Sequence, residues 1–200
     1  MDHRARPEPL DGLVDGVRRG DRDAIAAVYL EVAPALRGFL RRRVAHGEVA
    51  DDLVEQTFVE LIEGADRIRG DGRALRAWLY RAARNNLHDW RKRADRRSDN
   101  ELVDRHTATL QDGADDPAER AMGSLLDPRL VAALRQLTDE QLEVIELRLV
   151  AELSLAQVAD VTGRTVGAVK LLQHRAVKRL ATLLEDGADG PSPRDGPQDP

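Results

Sequence analysis

Lys170, Leu171, His174, Arg175 and Lys178 lie in the stretch LSLAQVADVTGRTVGAVKLLQHRAVKRL, residues 153–180. They share one face of a helical pattern, and their charge and hydrogen-bond donors suit an anionic, groove-shaped partner. The surrounding residues give that face a rigid support. Ala159 is small where two helices cross, Gly163 follows four positions later where a turn needs unusual backbone angles, and Val169 is apolar six beyond that, with Val158 and Leu172 completing a core. This is the spacing of a helix-turn-helix, whose second helix presents its outer face to the DNA major groove. Arg164 and Thr165 stand at its start and join the candidate contact set. A generic three-helix bundle would place the same apolar residues, but residues 164–179 contain bases and no acids.

Two further constellations carry charge of opposite sign. Asp51, Asp52, Glu55, Gln56 and Glu60 form the outer face of residues 49–62. Such a face repels DNA and suits a basic protein partner, although a merely solvated face would look the same. A metal-dependent nuclease is disfavoured, because these carboxylates share one helix with no converging His. Downstream, Arg69 and Arg73 sit in a Gly-rich loop, residues 66–73, followed by a basic segment with Arg81, Arg84, Asn85, Asp89, Arg91 and Arg93. Basic side chains neutralise phosphates, and an irregular loop can receive an unstacked base. Trp78 has the spacing of a core residue with Leu75, Leu79 and Ala82, whereas Trp90 suits packing or base stacking about equally.

The 200 residues, 42% hydrophobic and 3% aromatic, predict a globular chain with enough apolar material for one medium core or two small ones. With no cysteine there is no disulfide, thiolate metal site or thiol nucleophile, and the scattered histidines suggest no metal or cofactor site. There is neither a membrane-spanning apolar run nor an apolar signal in MDHRARPEPLDG, so a cytoplasmic protein is expected. The net charge of -5 hides a strong segregation. Residues 48–63 hold only acids, 67–97 are strongly basic, 98–127 are acidic, 164–179 hold only bases, and the tail from Glu185 is acidic. Two basic blocks about an acidic spacer suggest two anion-binding surfaces.

The positioning elements are all helical in period. Residues 21–44 carry Ile25, Val28, Tyr29, Val32, Leu36, Phe39 and Leu40 inward, with a kink or break expected at Pro34. Residues 49–62 turn Leu53, Val54, Phe58, Leu61 and Ile62 inward, and residues 74–93 form a third amphipathic helix. The capping-box spacings of Thr138 with Gln141 and Ser154 with Gln157 mark two helix starts, and a last helix runs from about Thr165 to Glu185. The predicted fold is all α, in two small helical domains, residues 10–97 and 128–185. An acidic, flexible linker (98–127) joins them, between disordered tails at 1–9 and 186–200.

Block by block, the chain resembles the extracytoplasmic-function group of the sigma-70 family. GDRDAIAAVYLEVAPALRGFLRRRV is similar to the family's opening helix, VADDLVEQTFVELIEG to its polymerase-binding helix, and LRAWLYRAARNNLHDWRKR to its helix for the minus-ten promoter element. LTDEQLEVIELRLVAELSLAQVADVTGRTVGAVKLLQHRA resembles the domain for the minus-thirty-five element. The resemblance spans residues 20–184 and implies a non-enzymatic initiation factor whose partners are core RNA polymerase, promoter DNA and an anti-sigma factor. It implies that the acidic helix meets the polymerase clamp, that the loop captures a flipped base, and that residues 10–97 and 128–185 act as regions 2 and 4. Leu171, Leu172 and Gln173 depart from a Ser-Arg type pair common in relatives, and Asn86 stands where an apolar residue is usual. A stand-alone repressor or activator leaves the acidic helix unexplained, and an anti-sigma-like interaction module would not need the basic recognition face.

Overall fold

The computed structural model describes residues 8–98 and 127–186, and every regular element among them is helical. The expected linker, apart from Ser98 and Asp127, lies outside the described residues, as do the tails beyond Glu8 and Asp186. A 3-10 turn, Asp11–Leu13, leads into α1 (Val14–Arg18), followed by α2 (Arg22–Arg41) and α3 (Gly47–Gly64). A second 3-10 turn, Ala65–Arg67, precedes the long α4 (Gly72–Ser98). Beyond the linker come α5 (Pro128–Leu134), α6 (Asp139–Leu149), α7 (Leu155–Thr162) and α8 (Val166–Asp186).

Local chemistry sets the helix starts. The Asp21 carboxylate accepts from the Asp23 amide at 2.9 Å to open α2. Thr138 with Gln141 and Ser154 with Gln157 form complete capping boxes at α6 and α7. The break considered at Pro34 does not occur, since α2 runs on through it. A mid-helix proline removes one ladder hydrogen bond, but here Val32, Ala33 and Leu36 are buried on both sides of it and packing carries the helix across.

Residues 8–98 pack α2, α3 and α4 about Leu36, Phe39, Leu40, Val54, Leu61, Leu75, Leu79 and Tyr80, all essentially inaccessible. Phe39 and Tyr80 meet edge to face at 5.4 Å, and Trp78 and Trp90 lie half-buried against the same core. Burial raises the Tyr80 phenol above its ordinary titration range. Asn86, polar where an apolar residue was the norm, donates from Nδ2 to the buried Thr57 hydroxyl at 3.3 Å. That hydroxyl in turn donates to the Leu53 carbonyl at 2.7 Å, so neither polar group is stranded.

Three sequence expectations need correction. Glu8, placed in the disordered tail, is buried and receives the Arg76 guanidinium at 2.6 and 3.0 Å. Tyr29 and Ile62, read as inward, are exposed: Ile62 keeps 57% of its accessibility, and Tyr29 leans edge-on against Phe58 at 4.8 Å. Helical period locates a stripe but not its width, and only the arc covered by a neighbouring helix is buried.

The second helical group is not held apart from the first. α7 packs along α4, and one continuous apolar cluster runs from Leu79 and Ala83 to Leu147, Leu153, Val158 and Val169. A smaller cluster of Leu137, Leu142, Ile145 and Ala176 joins α6 to α8.

Candidate nucleic-acid interface

The helix-turn-helix consists of α7 and α8. α7 ends at Gly163, which takes the left-handed conformation (φ 68°) open to glycine at little cost, and the Arg164 amide donates back to the Ala159 carbonyl at 2.9 Å. The Thr165 hydroxyl accepts from the Ala168 amide at 3.2 Å, starting α8. Val169 and Ala176 are fully buried and Leu172 half-buried, which turns Lys170, Leu171, His174, Arg175 and Lys178 outward together. These five predicted residues therefore form one surface. Arg164 departs from it: its guanidinium pairs with Glu140 at 2.6 Å. Thr165, though exposed, spends its hydroxyl on the helix start.

On α4 the predicted residues are spread around the helix. Asn85, Asp89, Arg91 and Arg93 are exposed, while Arg81 and Arg84 are half-buried. Arg81 pairs with Asp160 at 2.7 Å and Arg84 with Glu143 at 3.1 Å, so α7 and α6 supply carboxylates to the basic helix. Arg91 donates to the Arg43 carbonyl at 2.7 Å, and Arg93 to the Asp89 carbonyl at 3.2 Å. At the same junction the Glu146 carboxylate, 7% exposed, receives both Arg42 and Arg43, the latter at 2.7 Å. The Arg43 guanidinium also lies 3.7 Å over the Phe39 ring. The two helical groups are thus joined through Arg81 and Arg84, which sequence reading assigned to phosphates, and through Arg42 and Arg43, which it left unassigned.

The loop before α4 is held from within. Ile68 is buried, Gly70 takes φ 92°, and Arg69 donates to the Asp66 and Ile68 carbonyls at 2.6 and 3.1 Å. Arg18 of α1 donates from Nε to the Ile68 carbonyl at 3.0 Å and from its second terminal nitrogen to the Gly70 carbonyl at 2.7 Å. Arg73 is half-buried at the start of α4. Gly72 allows a close backbone approach: a Cβ there would stand 2.6 Å from the Asp11 amide nitrogen. Its own amide donates to the Asp11 carboxylate at 2.9 Å.

On α3, Asp52, Glu55 and Gln56 point to solvent, and Gln56 bonds the half-buried Glu60 at 3.3 Å. Asp51 does not join them. It turns to α2 and pairs with Arg37 at 2.5 Å and Arg41 at 3.7 Å, a bond that raises the Arg37 pKa. Sequence reasoning missed the exposed apolar residues beside this face, Leu30 and Val59, of which Leu30 lines a groove between α2 and α3 with Tyr29, Phe58 and Ile62. The signal was present: Leu30 falls outside the apolar stripe of α2, and Val59 lies among acids.

Both helical groups match known protein families. The family model for Sigma-70 region 2 matches residues 28–97, and that for Sigma-70, region 4 matches residues 133–182. The ECF RNA polymerase sigma factor SigD of Mycobacterium tuberculosis is 32% identical over 187 residues, covering 91% of this chain and 87% of SigD. The ECF RNA polymerase sigma factor BldN of Streptomyces coelicolor is 32% identical over 179 residues, covering 88% of this chain and 66% of BldN. Among solved structures, CnrH in complex with the cytosolic domain of CnrY aligns with a TM-score of 0.58 at 25% identity, covering 90% of this chain and 99% of that one. With both region models in order and these relatives matched across nearly its full length, the chain belongs to the extracytoplasmic-function group of the sigma-70 family, the factors for promoter-specific transcription initiation by RNA polymerase.

Proposed function

We propose that α8 reads the minus-thirty-five element through Lys170, Leu171, His174, Arg175 and Lys178. The loop 66–73 and α4 then engage the minus-ten element as it opens. The observation that carries this reading is the single outward face of α8, cationic and rigidly mounted on α7 through Gly163. Arg69, Arg73, Asn85, Arg91 and Arg93 serve the opening strand with Asp89 beside them, and Arg81 and Arg84 join once their pairs with Asp160 and Glu143 part. Asp52, Glu55, Gln56 and Glu60, with the exposed Val59 and the apolar groove of Tyr29, Leu30 and Ile62, meet a basic and apolar surface of core polymerase. The factor works in the cytoplasm as a non-enzymatic subunit. An anti-sigma factor restrains it, as suggested by the solved complex of CnrH with CnrY. Among the described residues no helix is long and apolar enough to cross a membrane.

The deciding experiment is run-off transcription from genomic templates with purified core polymerase. Discrete transcripts that require both core and this chain are expected. Sequence-specific duplex binding by the chain alone, with no effect on core polymerase, would refute the reading in favour of a stand-alone repressor or activator.

A further inference from the structure

The geometry points to Arg18 as the positioning residue of the base-accepting loop, an inference that rests on the proposed role of residues 66–73. The loop has little regular structure to hold it: between the 3-10 turn Ala65–Arg67 and α4 it makes no helical ladder, and Gly70 (φ 92°) adds conformational freedom. Its inward carbonyls are tied by a side chain about fifty positions earlier. Nε of Arg18 holds the Ile68 carbonyl at 3.0 Å, one terminal nitrogen holds the Gly70 carbonyl at 2.7 Å, and the other is aimed by Asp15 at 2.9 Å. All three nitrogens thus have a protein acceptor, so the guanidinium acts as a bracket for the loop rather than as a phosphate clamp. The planar fork of arginine fixes the separation of the two carbonyls it bonds, and the point charge of lysine does not.

The rest of the segment strengthens the bracket. The Asp11 carboxylate accepts from the Gly72 amide at 2.9 Å where the loop becomes α4. Glu8, 2% exposed at its side chain, grips Arg76 one turn further on. The segment from Glu8 to Arg18 therefore braces the loop from behind, while Arg67 and Arg69 are exposed and Arg69 shares the Ile68 carbonyl with Arg18. A pre-ordered loop accepts an extruded base without first losing its own conformational freedom, which lowers the cost of strand opening rather than of duplex binding.

The test uses the full chain with core polymerase on two versions of one promoter: the intact duplex, and the same duplex with an abasic site where the loop accepts its base. Closed-complex retention and permanganate reactivity are read in parallel. Arg18→Lys keeps the charge but loses the fork. On the intact promoter it is expected to reduce open complex about tenfold, the scale of losing a charge-assisted hydrogen bond, with closed complex unchanged. On the abasic promoter, Arg18→Lys and wild type are expected to open equally. Asp15→Asn, which only loosens the aim of Arg18, should show the same pattern with a loss of about twofold, the scale of a weak surface ion pair. Full opening by Arg18→Lys on the intact promoter, or an equal deficit on both templates, overturns the role assigned to Arg18. If wild type itself opens both templates alike, base capture by the loop fails first and this inference falls with it.

Discussion

Glu146→Gln isolates the junction between the two helical groups. The substitution preserves shape, so packing around the side chain is kept, but it removes the charge that holds Arg42 and Arg43. The acceptor is 7% exposed and Arg43 13%, whereas Arg42 at 40% recovers water readily. Removing one partner of a buried pair costs about 3–5 kcal/mol, and the exposure of Arg42 puts this case at the lower end, about 3 kcal/mol. That corresponds to roughly a hundredfold in the ratio of closed to open arrangements. Arg81 with Asp160, at 42% and 59% exposure, is screened on both sides, so Asp160→Asn should contribute below about 1 kcal/mol. Because the chain has no cysteine, labels at Glu48→Cys and Thr182→Cys, both exposed positions, report the separation of the groups by energy transfer. Glu146→Gln is expected to lengthen and broaden that distance and to strengthen binding of single-stranded minus-ten DNA, whereas Asp160→Asn leaves both nearly unchanged. An unchanged distance in Glu146→Gln, or an Asp160→Asn effect of equal size, refutes the assignment of the latch to Glu146.

Arg175→Ala should lower transcription from promoters bearing a minus-thirty-five element by the equivalent of about 1–3 kcal/mol, without changing helicity by circular dichroism. Reversing Asp52 and Glu55 together should abolish co-purification with core polymerase while changing stability by only about 0.5 kcal/mol each. Asp51→Lys should instead lower the thermal midpoint, since Arg37 and Arg41 would then face a like charge. Gly72→Ala should destabilise by about 1–3 kcal/mol in denaturant unfolding, because its Cβ meets the Asp11 amide nitrogen and the Leu10 carbonyl carbon, backbone atoms with little room to yield.

Features that depend on neighbours a few residues apart were legible in the sequence. The capping boxes at Thr138 and Ser154, the left-handed Gly163, the stripe that buries Val169 and Ala176, and the outward face of Lys170, Leu171, His174, Arg175 and Lys178 all follow from helical period and local hydrogen bonding. The charge blocks were equally visible, and with the order of motifs they pointed to the family. Which charges remain available was decided only by tertiary structure. Asp51 meets Arg37 across 14 positions, Arg81 meets Asp160 across 79, and Arg42 meets Glu146 across 104. No periodicity encodes such pairings, because they depend on where separate helices cross. For the same reason the burial of Glu8, the exposure of Tyr29 and Ile62 and the grip of Arg18 on the Ile68 and Gly70 carbonyls emerged only in three dimensions. A helix's sequence specifies which side is apolar, while the width of the covered arc, and the partner that satisfies each charge at its rim, are set by the packed neighbour.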